Sequence, residues 1–485
     1  MFRTWTRRWL AIFLLCTCSI SLQSFTRATT SRTPHQKDVW LAAPETDAFV
    51  NEERDGSFIC RPASSDEALA MADPAREQML HVISTGYQMQ EAGGLTITLR
   101  GTAQLDGFPQ ARDAFLRAAE NWKQRIQAPI SIIIDVDFGP TRFGQPYPTG
   151  VLGSTSSQSL FNASGYPGVR AGLVSKAATA ADQAIVNVLP NVEVPTDLGS
   201  TAGVGAPSAL LRTLGVISAT ANPPAEPDFG NPPSIGFNSN FNFDFDPTDG
   251  IDSDKSDFEA VATHEIAHAL GFTSRVGATE LNPSTPLGLG VLDLFRFRPG
   301  VSLGTFATGQ RVLSAGGTQV FFGGGSEIQL STGRQDGSGG DGNQASHWKD
   351  LRIVTPAIGV MVPGIPRGLH LVITDNDLRV FDLMGYNPPG TGGGSNPDDG
   401  DPGGPTLKSA NYDGVTLSIK GSGFAGTLQL EVNDSPAAPK KIKVKGGGNK
   451  LKISGSQTQL NIHSGENRVR VIANGLRSAV KTFTF

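Results

Sequence analysis

Cysteine is nearly absent from this 485-residue chain: there are three, and Cys16 and Cys18 lie in an apolar stretch at the start, leaving Cys60 alone beyond it. A scaffold held by internal disulfides is thereby excluded, and packing and metal binding remain as sources of stability. Long apolar runs are lacking as well. After the first residues nothing approaches ~18 uninterrupted apolar positions, which excludes a helical membrane span there. Basic charge is scarce until late in the chain. The net charge is −5, yet residues 406–485 carry twelve Lys/Arg against four Asp/Glu, or +8, so the middle is strongly acidic. An acidic body argues against nucleic acid as the main partner.

The start carries a basic cluster, Arg3, Arg7 and Arg8, before "WLAIFLLCTCSISL". That apolar core is too short to span a bilayer comfortably, and Thr26-Arg27-Ala28 offers a cleavage site. The expectation is a secretion signal over 1–28 and an exported protein. Residues 29–94 are weakly patterned and stand as an N-terminal segment that a maturation step could remove.

"GLTITLRG" (94–101) alternates as a strand, and "ISIIIDVDF" (130–138) reads as another. Between them Phe108, Ala111, Phe115, Ala119, Trp122 and Ile126 recur at helical spacing. A strand, a helix and a strand predict an α/β layer. Residues 139–233 read as loop-rich, and "VLDLFRF" (291–297) as a strand. "PPGTGGGSNPDDGDPGGP" (388–405) is a linker, with no residue able to anchor a core. Beyond it "GVTLSIKG", "GTLQLEVN", "KKIKVKG" and "NRVRVIANG" alternate as short strands, predicting a small β-sandwich over 406–485.

The chemistry concentrates in "VATHEIAHALGFTS" (261–274). His264 and His268 are one helical turn apart, so both imidazoles face the same way, as a zinc pair requires. Glu265, one position round the helix, is placed to take a proton from a metal-bound water. Gly271 suits the left-handed turn that ends a helix. A third ligand six residues after His268 is ruled out, because Ser274 stands there and serine is a poor zinc ligand. Histidine is rare, so the search is short: between His268 and the linker there are only His347, in the Gly-rich "GSGGDGNQASHWKD", and His370, flanked by leucines. Glu280 and Asp293 are carboxylate rivals for the third position. Met361 follows in a Gly- and Pro-bounded turn, and "ITDNDLRVFDLMGY" (373–386) reads as a helix with Thr374 as its N-cap and Gly385 as its stop.

The order HEIAHALGF, insertion, Gly-rich loop ending in histidine, methionine turn and helix ending "DLMGY" resembles the leishmanolysin-type metzincins over about residues 95–388. The resemblance implies an α+β chain: a zincin-like catalytic domain over 95–388, with a twisted sheet and an active-site helix, then an immunoglobulin-like sandwich. It implies zinc on His264, His268 and His347, Glu265 as general base, Met361 as the floor beneath the ion, and a secreted endopeptidase acting on protein or peptide. Pro363 stands where many metzincins carry a tyrosine.

Cys60 is a candidate latency thiol, able to occupy an open position on the ion. Asp244, Asp246, Asp249, Asp252 and Asp254 form an acidic loop with the oxygen-rich character of a calcium site, though not with EF-hand spacing. The basic C-terminal module suggests docking to an anionic surface or polysaccharide. Two other readings stay open: an exported, non-catalytic adhesion or binding protein whose metal is structural, and a metal-dependent hydrolase of a non-peptide substrate.

Overall fold

The computed structural model describes residues 41–71, 74–84, 94–220, 232–281, 283–325, 327–333, 339–386, 404–433, 435–473 and 476–485. The signal expected over 1–28 and nearly all of the expected linker lie outside these residues. No described helix is long and apolar enough to cross a membrane.

The main sheet comprises β1 (Leu41–Arg54), β2 (Ser57–Pro62), β3 (Leu80–Val82), β4 (Thr96–Thr102), β5 (Ser131–Gly139), β6 (Val151–Asn162), β7 (Val204–Pro207), β8 (Ser234–Asn238) and β9 (Gly364–Pro366). Their order is β9-β2-β1-β6-β8-β5-β4-β3, with β7 also pairing with β6. β5 is parallel to both of its neighbours, whereas the β1–β2 hairpin and β6 are antiparallel. Asp55 and Gly56 both adopt positive φ at the hairpin turn, the conformation an Asp-Gly turn of this kind needs. Residues 139–233 are richer in structure than expected. They hold β6, β7 and helices at Tyr166–Lys176, Ala180–Val186 and Ser208–Thr213. The serines and threonines of β6 gave no apolar alternation, yet Ser154, Thr155, Ser156, Ser157 and Ser159 are buried because the strand runs inside the sheet. "VLDLFRF" is likewise not one strand: a 3₁₀ turn at Leu292–Phe295 leads into a two-residue strand at Arg296–Phe297.

Helix α1 (Pro109–Lys123) buries Ala111, Ala114, Phe115, Ala118, Ala119 and Trp122 on one face and starts with proline, whose missing N–H costs nothing there. It packs on α2 (Phe258–Leu270). The Trp122 indole N–H donates to the Thr263 carbonyl at 2.9 Å, and Arg117 and Asn121 both bond Glu259. α2 is buried all round, as a helix enclosed by a core must be. Asp257 caps its first turn through the Ala260 amide, and Gly271 ends it at φ 114. Helix α3 (Asp375–Leu383) begins with a capping box in which Thr374 and Asp377 bond each other's amides.

The C-terminal strands are β10 (Thr406–Tyr412), β11 (Thr416–Ser422), β12 (Leu428–Val432), β13 (Ser435–Pro436), β14 (Lys441–Lys445), β15 (Lys450–Ser454), β16 (Glu466–Ala473), β17 (Leu476–Arg477) and β18 (Lys481–Thr484). The immunoglobulin-like sandwich expected from the sequence is not what they build. They form two small open sheets, one ordered β10-β11-β15-β14, the other β13-β12-β16-β17 with β18 on β16, and neither sheet closes. Alternation marks strands but is silent about which strands pair. The module also has no tryptophan and no cysteine pair of the immunoglobulin kind. The chain is therefore a mixed α+β protein with several small open sheets. Arg470 and Arg477 of the C-terminal module both bond the Asp375 carboxylate at the first turn of α3, with Glu431 3.5 and 3.6 Å from the same two guanidinium groups.

Candidate metal centre

His264 and His268 project from α2 toward His347, which arrives from the loop after Asn343. Their Nε2 atoms stand 3.1, 3.1 and 3.2 Å apart. Each Nδ1 meets a backbone carbonyl oxygen: Val360 at 2.8 Å for His264, Phe272 at 2.8 Å for His268, and Gln344 at 2.9 Å for His347. A carbonyl oxygen only accepts, so each Nδ1 carries the proton and each Nε2 is a bare lone pair. Three lone pairs this close repel unless a cation lies among them. A proton does not serve, since burial pushes His264 down to about 4 and holds His268 and His347 well below the ordinary histidine range.

Cys60 completes the group. Its Sγ lies 3.9 Å from His268 Nε2, and all four donor atoms lie within 4.8 Å of one another. A tetrahedral zinc ion would set its nitrogens about 3.3 Å apart, close to what stands here, and a thiolate sulfur roughly 3.5 Å from each, so Sγ, 3.9 Å from His268 Nε2, would move inward on binding. The donor set fits zinc in kind and number. All four side chains are at most 1% exposed. Burial, and then the charge of Glu265, raise the Cys60 thiol well above its usual value, so a cation is needed to hold it as thiolate. The carbonyl partners of the Nδ1 atoms fix each ring's orientation as the outer shell of a metal site does.

The surroundings explain how the sequence reaches this geometry. Gly271 turns the chain so that the Phe272 carbonyl reaches back to His268. The hairpin β1–β2 closes the other side: Asn51 and Cys60 are direct cross-strand partners, and the Cys60 amide donates to the Pro363 carbonyl at 2.8 Å. Phe49 stacks on His268 at 4.0 Å between ring centres, and Phe58 meets His264 edge-on at 5.8 Å. Asp377 anchors the opposite wall. It accepts the Trp348 indole N–H at 2.8 Å and the amides of Val360 at 3.0 Å and Thr374 at 2.8 Å. It thus fixes the neighbour of His347 and the carbonyl that orients His264. Sequence reasoning missed Phe49, Asn51 and Phe58. The Asp55-Gly56 turn between two apolar runs was the signal that could have found the hairpin.

The remaining candidates fall elsewhere. Met361 is fully buried, and its carbonyl accepts the Trp348 amide at 2.9 Å. Glu265 is buried beside the cluster but is not one of its donors; its Oε1 accepts from Asn51 Nδ2 at 2.9 Å. Burial pushes it up to about 7, against the Thr155 and Asn51 side chains that hold it down. Asp293 is buried and salt-bridged to Arg296 at 3.2 Å while also accepting from Ser274. Glu280 accepts the Ala315 amide, and His370 bonds Asp257. In the acidic loop, Asp244 and Asp246 accept amides of the loop itself, and Asp252 pairs with Lys255. Among the described residues, the Cys60–His264–His268–His347 group is the one set of three or more His, Cys, Asp or Glu side chains able to hold an ion.

No protein-family model matches this chain, and no curated protein matches it. The site itself corrects the resemblance to leishmanolysin-type metzincins and the function it implied, because the buried cluster is one cysteine with three histidines and Glu265 is not among its donors. A hydrolytic zinc keeps one position open for water, whereas here Cys60 joins the three histidines as a fourth buried protein donor, and four-donor Cys/His sets belong to structural zinc. The zincin-like catalytic domain, the zinc endopeptidase with Glu265 as base and its peptide substrate are not supported. The same donor set weighs against a metal hydrolase of another substrate.

Proposed function

We propose that the protein is an exported, non-catalytic binding protein whose metal is structural. One observation carries this reading: Cys60, His264, His268 and His347 converge as four buried protein donors, the donor number of a structural zinc site. Such an ion would tie the β1–β2 hairpin, helix α2 and the loop at His347 together, segments far apart in the chain. In a molecule with a single cysteine beyond its start, it does what a disulfide cannot. Zinc is the ion that the Cys/His₃ set favours. Export rests on the basic and apolar start of the sequence. Binding rests on the basic C-terminal module, which suits an anionic surface or polysaccharide.

The test is metal analysis of the full chain with cobalt substitution. One ion per chain is expected, with a thiolate-to-cobalt absorption band that Cys60→Ala abolishes. Chelation should lower unfolding stability by about 4 kcal/mol if the ion is held near a thousandfold below its working concentration. Casein hydrolysis by the metal-loaded chain that disappears in Glu265→Gln would overturn the reading.

A further inference from the structure

The sheet β10-β11-β15-β14 has one face in the module's core and one in solvent. Leu417, Ile419, Leu451 and Ile453 point inward. The register places the outward residues in rows across the strands. Lys420 pairs with Lys450, which pairs with Lys445; Ser418 pairs with Lys452, which pairs with Lys443; Thr416 pairs with Ser454, which pairs with Lys441. Because the side-chain period is two, all of these share the outer face.

Like charges directly opposite each other destabilise a sheet. Lysines on β14 have a bland explanation, since it is an edge strand and charge there discourages edge-to-edge pairing. That explanation does not reach Lys420, Lys450 and Lys452, which stand on the two inner strands. No salt bridge is recorded for any of these six lysines among the described residues. Asp413 feels Lys452 but spends its carboxylate on the Val415 and Thr416 amides of its own turn.

At one end of the rows lies a hollow of about 340 Å³ lined by Lys408, Lys420, Gly421, Ser422, Asn449 and Lys450. That volume is at the lower end of small-ligand sites. Its lining combines three ammonium groups with a hydroxyl and an amide. Hydroxyls of Thr416, Ser418 and Ser454 interleave with the lysine rows. The face offers no aromatic ring for base stacking and no apolar wedge for a bilayer.

We infer that this face binds a linear anionic polysaccharide, its carboxylate or sulfate groups lying along the lysine rows and one sugar ring seated in the hollow. The inference deepens the binding-protein reading but rests on the sheet and not on the metal.

The experiment uses the full chain, with retention on immobilised polygalacturonate and heparin measured against neutral dextran. The wild type is expected to bind both anionic glycans and to elute with salt. The triple variant Lys420→Glu, Lys450→Glu, Lys452→Glu should lose about tenfold or more in affinity. The triple glutamine variant should lose less, and Lys481→Glu, on the other sheet, should stay near wild type. Equal binding by wild type and triple variant would overturn the inference, as would tighter binding to phosphatidylserine vesicles or single-stranded DNA. A wild-type chain that carries its one zinc but is retained by neither anionic glycan would overturn this inference and leave the structural-metal reading standing.

Discussion

Replacing Asp377 by alanine is the sharpest test of how the metal centre is held. The carboxylate sits where α3 meets the loop after His347, and it accepts from the Trp348 indole, the Val360 amide and the Thr374 amide. It packs so closely on Gly359 that a Cβ there would lie 2.4 Å from both carboxylate oxygens, so only glycine fits. A buried donor left without a partner costs about 1–3 kcal/mol. The Met361 amide, at 3.4 Å, and the Thr374 hydroxyl also bond this carboxylate, but the three shorter N–H bonds alone give a gross loss of roughly 3–9 kcal/mol, reduced because the substitution also removes a carboxylate that burial has already pushed upward. Unfolding stability should fall by about 3–5 kcal/mol. Zinc affinity should fall about 10–100-fold, since the Val360 carbonyl and Trp348 both lose their anchor. Asp377→Asn, which keeps one acceptor but turns an NH₂ toward donors, should fall between. The assays are urea unfolding followed by tryptophan fluorescence and competition for zinc with a chromophoric chelator. An Asp377→Ala protein with unchanged midpoint and unchanged zinc affinity would refute the reasoning.

Two further outcomes are expected. Asp375→Ala removes the carboxylate that both buried guanidinium groups, Arg470 and Arg477, bond, and Arg470 is already lowered to about 9 by burial and by Arg477. Breaking such a buried charge cluster should cost about 3–5 kcal/mol, read as a lower thermal midpoint, while an unchanged midpoint would show that the clamp contributes nothing. At His370, burial works to lower the pKa, but the Asp257 hydrogen bond and the charges of Asp257 and Glu259 outweigh it and the net shift is upward. Its stabilisation is therefore complete below the unfolded value of about 6.5 and is lost as pH rises through the higher folded value. The drop in urea midpoint between about pH 6 and pH 9 should be smaller in His370→Gln, and an identical drop would count against the pair.

The sequence by itself determined what is local. Two histidines one turn apart share a helix face whatever surrounds them, and Gly271 ends that helix because it alone adopts φ 114 without strain. Scarcity narrowed the search for a third histidine to His347 and His370, since the chain holds so few. Alternation marked the C-terminal strands and put lysines on one side of them. Tertiary structure decided everything that depends on pairing at a distance. The β1–β2 hairpin carries Cys60 to a site whose nearest partner in sequence is 204 positions away at His264, and hydropathy along the chain holds no record of that docking. That single placement turns a group of three histidines into a four-donor Cys/His₃ cluster. The strand order of the C-terminal sheets was equally invisible, because a strand's alternation tells which face it buries and not which neighbour it chooses.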